Sequence, residues 1–431
     1  MFRRLWTGLP KDAVFASGLE GLGARLTARR TRYFINQDDE VRSIENPDNY
    51  FKFFVNRNPR VNQRQRFEFD AALRGVIHQR LLDEGLEMRR LPLGAGPDEP
   101  HVCILASPDL ARSTRVVVLF GEPTHHLGVL AGRVASGPGG INKGSMVSVV
   151  RELRGQAPSP PAMVIADPAE LYWWPEGRRG LTVADSAAIP LPSLVHAGRR
   201  YRRDRNGVPG NGSPAEHVAY MFDVFLRREL GAGARLSVVA VGQSCELVTG
   251  FLDDVDNAAR WLGNMDGMLL LGTVYPVETL RNDHLRSFLA KRSRAYIISP
   301  EPVNTPLAPP TGNPEENIPP LGSPSYSSAE PFYTERILIS ALQPALRYLA
   351  DVASPDYQND EIVLAEKPPE PLGLNPDTED WHAVPEDEKP IVGVADADSM
   401  REQVSKARRF RKILETGRIP DSDSSDDDAV L

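Results

Sequence analysis

The chain has 431 residues, 41% of them hydrophobic and 25% charged, an ordinary balance for a globular protein. No run of about 18 apolar residues exists, which argues against a membrane-spanning helix, and two cysteines, Cys103 and Cys245, both in apolar strand-like settings, exclude a disulfide framework. The formal net charge is −8, but residues 361–431 carry 18 acidic against 9 basic side chains, so the body is near neutral and unsuited to broad phosphate-driven binding of nucleic acid.

In chain order, MFRRLWTGLPKD has arginines but no apolar stretch of secretory length. Arg25, Arg29, Arg30 and Arg32 suit a mitochondrial presequence, against which Asp12 and Glu20 count. Short strands are expected at Tyr33–Asn36 and Tyr50–Val55. Phe67, Phe69, Leu73, Val76, Ile77 and Leu81 fall at helical spacing, and Gly85 ends that helix. A strand follows over Leu86–Leu93. Val116–Phe120 is a continuous apolar run, the pattern of a strand buried on both faces. Met163–Ala166, Leu236–Val241, Gly267–Leu271 and Ala295–Ser299 read as further strands.

Helices are expected between them, at Ser145–Leu153, from the Ser213 cap with Pro214 at the first position to about Leu230, at Leu247–Leu262 and at Val277–Ala290. A Pro-rich loop spans Pro300–Pro331, and a last helix spans Thr334–Val352, kinked at Pro344. The alternation implies an α/β fold, a mostly parallel sheet with helices on both faces. Past Ser354 proline, aspartate and glutamate dominate. The domain is therefore expected over residues 1–353 and a disordered acidic tail over 354–431, with a basic helix near 399–417.

The stretch LSVVAVGQSCE, Leu236–Glu246, carries the main chemical question. Strand, tight turn and helix make the local shape of a nucleophile elbow, G-x-S-x-G. Gly242 and Ser244 fit, and Glu246 stands where the second glycine belongs. Ser244 is the candidate acyl-transfer nucleophile. The chain order counts against it, because an α/β-hydrolase places its acid and then its histidine after the serine. Only His284, in an expected helix, and His382, in the tail, follow Ser244; the loop LGSPSYSSAEPFYT has no histidine, and Glu301 is the only acid at the preceding position. A structural turn is the reading preferred over a Ser-His-acid triad.

His125-His126 follows the Val116–Phe120 strand where hydrolases place an oxyanion loop, but adjacent histidines point in different directions. No H-x-x-x-H or H-E-x-x-H pattern suggests a metal site, and no cofactor is expected. GPGGINKGS, Gly137–Ser145, misses the phosphate-loop pattern because Lys143 precedes the glycine, yet its N–H groups could still hold an anion. Trp173-Trp174 could stack a base, with Arg199, Arg200, Arg202 and Arg203 meeting phosphates; a buried aromatic anchor beside a solvated charge run is the plainer reading. KARRFRK, with Lys406, Arg408, Arg409, Arg411 and Lys412, reads as a nuclear import signal or basic contact helix. Ser422, Ser424 and Ser425 among aspartates suit an acid-directed kinase, and the charged tail suits basic partners such as histones.

Several long phrases resemble one family. FRRLWTGLPKD, NQDDEVRSIENPDNYFKFF, GEPTHHLGVLAGRV, GGINKGSMVSVV, LYWWPEGRRGLT and VPGNGSPAEHV are similar to the fungal Argonaute-binding ("Arb-two") domain family, also found fused to fungal class II histone deacetylases. The resemblance covers roughly Met1–Val352, and GARLTARRTR, Gly23–Arg32, looks inserted relative to it. It implies an α/β-hydrolase-like fold and no catalytic residues. It further implies an interaction role in an Argonaute, small-RNA-guided heterochromatin assembly, in the nucleus and cytoplasm. Partners implied are Argonaute or histone-modifying subunits, with small RNA or histones through the charged segments, and no membrane. The rival expectations are a serine hydrolase using Ser244 and a direct binder of small-RNA duplexes.

Overall fold

The computed structural model describes the backbone of residues 19–20 and, in full, residues 33–156, 159–189, 201–272 and 277–363. The tail expectations, including the basic run at Lys406–Lys412, lie outside the described residues, as do Arg199, Arg200 and the Gly23–Arg32 segment.

Three short strands, β1 (Leu19–Glu20), β2 (Tyr33–Ile35) and β3 (Val41–Ser43), form a small sheet. Tyr50–Val55, expected as a strand, is irregular. The long helix α1 (Pro59–Asp83) starts on an Asn58 side-chain cap, with proline where its missing N–H costs nothing.

The main sheet is built from β4 (Glu87–Leu91), β5 (Val102–Ala106), β6 (Arg115–Phe120), β7 (Ala162–Ala166), β10 (Arg235–Val241), β11 (Met265–Leu271), β12 (Ser293–Ile297), β13 (Pro306–Ala308) and β14 (Ser325–Ser327). A separate hairpin, β8 (Tyr172–Trp174) with β9 (Arg179–Leu181), lies in the β7–β10 connection. The order across the main sheet is β13-β14-β12-β11-β10-β6-β7-β5-β4. The five pairings from β7 through β14 are parallel, whereas β5 runs antiparallel to both neighbours and β13 to β14. Setting β13 aside and numbering the other eight strands along the chain gives 1-2-4-3-5-6-7-8 with the second reversed, the sheet of an α/β-hydrolase.

Strand residues alternate between two cores, as a two-fold pleat requires. Val117 and Leu119 of β6 and Val239 and Val241 of β10 face one core, shared with α1, α2 (Met146–Arg154) and the final helix. Val116, Val118, Leu236 and Val238 face the other, shared with four later helices. Burial on both faces contributes about 1.5–3 kcal/mol per fully buried aliphatic side chain, which is why these strands read as unbroken apolar runs. A short helix, α3 (Val183–Ala188), packs with the β8–β9 hairpin. Ser213 caps α4 (Pro214–Tyr220), which continues through a π-helical turn, Met221–Leu226, to Glu229.

Several boundaries move. The expected helix over 247–262 begins earlier and is two, α5 (Ser244–Leu252) and α6 (Val255–Trp261), because the Asp254 side chain caps the second. The helix expected from Val277 begins later, as α7 (Asp283–Arg292), capped by Asn282. The last is α8 (Leu342–Asp351), and Pro344 falls in its first turn, where it forces no kink.

The domain also runs beyond residue 353. The Arg292 guanidinium donates to the carbonyls of Asp266, Val352, Ser354, Pro355 and Tyr357 at 2.6–3.2 Å, and Asn359 bonds Ala290, Lys291 and Ser293. Gly267 lets the chain end approach: a Cβ there would lie 2.7 Å from Val352 and 2.9 Å from the Arg292 carbonyl.

Candidate functional site

β10 ends at Val241, and the chain turns at Gly242, whose φ of +58° lies in the left-handed region that glycine enters at little cost. Gln243 follows, and Ser244 is already the first residue of α5. The strained position between strand and helix, where an elbow holds its nucleophile, is therefore Gly242. Ser244 stands two residues further on, buried, its Oγ donating to the Gly121 carbonyl at 2.5 Å. It ties two loops together and does not present a nucleophile. Glu246, expected beside the developing charge, is instead an exposed residue of the first helical turn.

The carboxylate at the elbow comes from another strand. β6 is followed by Gly121 and Glu122, the position from which hydrolases supply an oxyanion donor. Glu122 Oε2 accepts a hydrogen bond from the Gln243 amide at 3.0 Å. A Cβ added to Gly242 would lie 1.3 Å from the same oxygen. Glu122 thus fills the space of a nucleophile's side chain and occupies the N–H that would stabilise an oxyanion. Burial raises its pKa, and the Gln243 hydrogen bond works in the other direction.

The remaining hydrolase positions hold no histidine among the described residues. After β12 comes Glu301, whose amide bonds Ser299. After β14 comes Glu330, buried, accepting from the Phe332 and Tyr333 amides and pairing with Arg336 at 3.2 Å. His284 is the second residue of α7, and His382 lies outside the described residues.

In front of the elbow lies an open cavity of about 1060 Å³, lined by Gly242, Glu122 and the two adjacent histidines. Its floor is a layer of buried charge. His126 Nε2 meets Asp185 at 2.7 Å, and Arg74 meets Glu170 at 2.7 Å. Burial opposes the charge on His126, but the hydrogen bond and field of Asp185, with Glu170 and Asp70, outweigh it and push the imidazole up to about 9. Burial raises Asp70, with His126 and Arg66 acting against it. Deeper, burial and the neighbouring Glu170 hold Asp167 well above the ordinary carboxyl range, and burial pushes His78 down to about 4.

His125 points elsewhere, as adjacent histidines must: its Nε2 is 3.8 Å from Glu335, while burial and the His126 charge lower its pKa. Phe53, Phe54, Phe332 and Tyr333 line the mouth. The histidine pair is visible in sequence; Glu122, Asp70, Asp185 and Glu335 are not, because they sit on elements far apart in the chain, Asp70 in α1, Asp185 in α3 and Glu335 in a helical turn before α8, that only the fold brings together. Among the described residues no group of three or more potential metal ligands occurs, and no helix is long and apolar enough to cross a membrane.

The Arb2 domain family model matches residues 29–303, more than half of the chain. The chain belongs to the Arb2 domain family. The matched span ends before β14 and α8, which nevertheless complete the sheet and core of this Arb2 domain. Comparison with curated proteins gives no match. Among solved structures the chain is similar to an esterase of the archaeon Pyrobaculum calidifontis, with 13% identity, a TM-score of 0.29, and 67% of this chain and 96% of that chain covered. It is also similar to esterase Est22, with 12% identity, a TM-score of 0.23, and coverages of 54% and 74%.

The other candidate contacts of the Arb2 domain are dispersed. Lys143 is exposed at the end of a short helical turn, Gly140–Lys143. The N–H groups of that glycine-rich segment are already engaged: Gly139 donates to Glu40, Ile141 to the Asp39 carbonyl, and Asn142 to the Asp39 carboxylate at 2.7 Å. The expected anion site is filled from within. Trp173 is buried against His101, and the half-buried Trp174 packs edge-on against Phe67 with Arg179 over its ring. Arg202 is paired with Asp204 at 2.6 Å, and Arg203 opens the short helix Arg203–Asn206. Neither cysteine is in a disulfide: the Cys245 thiol donates to the Ala240 carbonyl at 3.3 Å, and burial pushes Cys103 up to about 11.

Proposed function

We propose that this Arb2 domain is a non-catalytic interaction module that keeps the hydrolase frame and presents its surfaces to protein partners. The supporting observation is Glu122. A fixed carboxylate on the elbow amide repels the negative charge that acyl transfer develops, and it leaves Gly242 no room for a side chain. The buried Ser244 and the histidine-free loop after β14 agree with this reading. Membership of the Arb2 family supports reading the module as an interaction domain, and the assembly we infer for it is an Argonaute-containing, small-RNA-guided silencing complex of nucleus and cytoplasm. Duplex RNA binding has less support, since Trp173 is buried and Arg202 is paired.

Two measurements test the proposal. Folded protein treated with a fluorophosphonate probe is expected to remain unlabelled; labelling abolished by Ser244→Ala would establish the hydrolase instead. Affinity purification from nuclei is expected to recover Argonaute or histone-modifying subunits, and clean recovery of neither would count against the assembly.

A further inference from the structure

The exposed aromatic residues of this domain are unevenly placed. Phe53, Phe54, Tyr201, Phe332 and Tyr333 are those that stand well out of the described surface, and all but Tyr201 line the mouth of the cavity. Phe54 and Phe332 are 87% and 75% exposed. A ring of large apolar side chains around a concave site marks a docking surface, because leaving it in water is unfavourable.

Charge inside the ring is also uneven. Three cations of the wall are satisfied: Arg66 by Asp70 at 3.2 Å, Arg74 by Glu170 and His126 by Asp185, each of the last two at 2.7 Å. The carboxylates are not all satisfied in return. Glu122 has no cationic partner among the described residues, and its Oε1 accepts no hydrogen bond there. Glu335 has only distant partners, His125 at 3.8 Å and Arg133 at 3.7 Å. Burial raises the pKa of both; the Gln243 hydrogen bond works against it at Glu122, and the fields of Arg133 and Arg336 at Glu335. With the exposed Arg133 set against Glu335, the charge left without a cationic partner in the described lining is negative, that of Glu122.

We propose that the cavity receives a basic side chain, lysine or arginine, presented by a partner polypeptide: its cationic head between Glu122 and Glu335, its methylenes and flanking residues on the aromatic ring. The charge complements the two carboxylates, and the aromatic faces favour both the aliphatic stem and the cation. Arg133 already models the arrangement, lying over the Tyr333 ring at 5.1 Å while reaching toward Glu335. It acts as a weak internal competitor, 71% exposed and displaceable. The size is that of a peptide site; about 1060 Å³ far exceeds one ammonium group. This assignment rests on the reading of the elbow as non-catalytic, since a working site would need Glu122 out of the way.

The test is fluorescence anisotropy with full-length protein and two labelled peptides, Gly-Leu-Lys-Leu-Gly amide and the same peptide with norleucine for lysine, which removes only the ammonium. The lysine peptide is expected to bind about tenfold more tightly than the norleucine peptide. Glu335→Gln should erase most of that difference, and Phe54→Ser with Phe332→Ser should weaken both peptides. Arg133→Ala should tighten the lysine peptide, a gain that a folding defect cannot imitate. Equal binding of the two peptides, no binding of either, or no response to Glu335→Gln overturns the proposal. Spermidine displacing the peptide at equal affinity would overturn it in favour of a small polyamine. Fluorophosphonate labelling reads the underlying non-catalytic assignment separately.

Discussion

Glu122 and Gly242 share one space: the carboxylate of the first lies where a Cβ of the second would have to be. Each residue therefore sets the terms for the other. Gly242→Ala is expected to destabilise the domain by about 2–4 kcal/mol, combining a steric collision with the cost of a left-handed backbone. In Glu122→Gly the collision is gone and only the backbone cost of roughly 1 kcal/mol remains. Chemical denaturation of the four proteins in this cycle should give a coupling of about 1–3 kcal/mol.

Ser244→Ala removes the hydroxyl that holds the half-buried Gly121 carbonyl. A loss of about 1 kcal/mol in unfolding free energy is expected, the worth of one neutral hydrogen bond. A change many times larger would show that Ser244 does more than join two loops.

The His126–Asp185 pair makes a pH prediction. The imidazole pKa rises from 6.5 to about 9 on folding. Its contribution, on the order of 3 kcal/mol, is fully present below the unfolded pKa and is lost as pH rises through the folded one. Stability measured from pH 6 to pH 10 should therefore fall, and Asp185→Asn should flatten that fall. A wild-type curve unchanged by Asp185→Asn would dissociate the pair from the alkaline response.

Arg74, in the cavity lining, pairs with the buried Glu170. Arg74→Met alone leaves a carboxylate buried with its main counter-charge gone, at an expected cost of about 3–5 kcal/mol. Arg74→Met with Glu170→Met should recover most of it. Thermal melts of single and double variants read the difference.

The basic run Lys406–Lys412 gives a cellular prediction. Deleting it from a fluorescent fusion should shift the protein out of the nucleus. An unchanged distribution would remove the import reading.

The central sheet was legible because β6, β7, β10 and β11 are buried on both faces and so appear as largely apolar runs, whereas β12 is buried at only some of its positions. β14 was not, since Ser325–Ser327 is short, polar and set in a proline-rich stretch. The elbow was found, but its frame was read two residues late: G-x-S matched as text, while the glycine itself takes the strained turn. Glu122 reaches the Gln243 amide across 121 residues of sequence, and Asp39 reaches Asn142 across 103. In both places a backbone anion site is occupied by the protein's own carboxylate, a pairing that local spacing does not encode.

The five carbonyls gathered by Arg292 have a mechanical consequence. A pull on the chain beyond Asn359 does not peel α8 from its last turn. It is transmitted through the Arg292 guanidinium and the Asn359 side chain into the junction of α7 and β12. There the load falls on an interior strand, bonded on both sides to its neighbours in the sheet. Whatever tugs on this end of the domain meets the frame of the sheet before it meets α8.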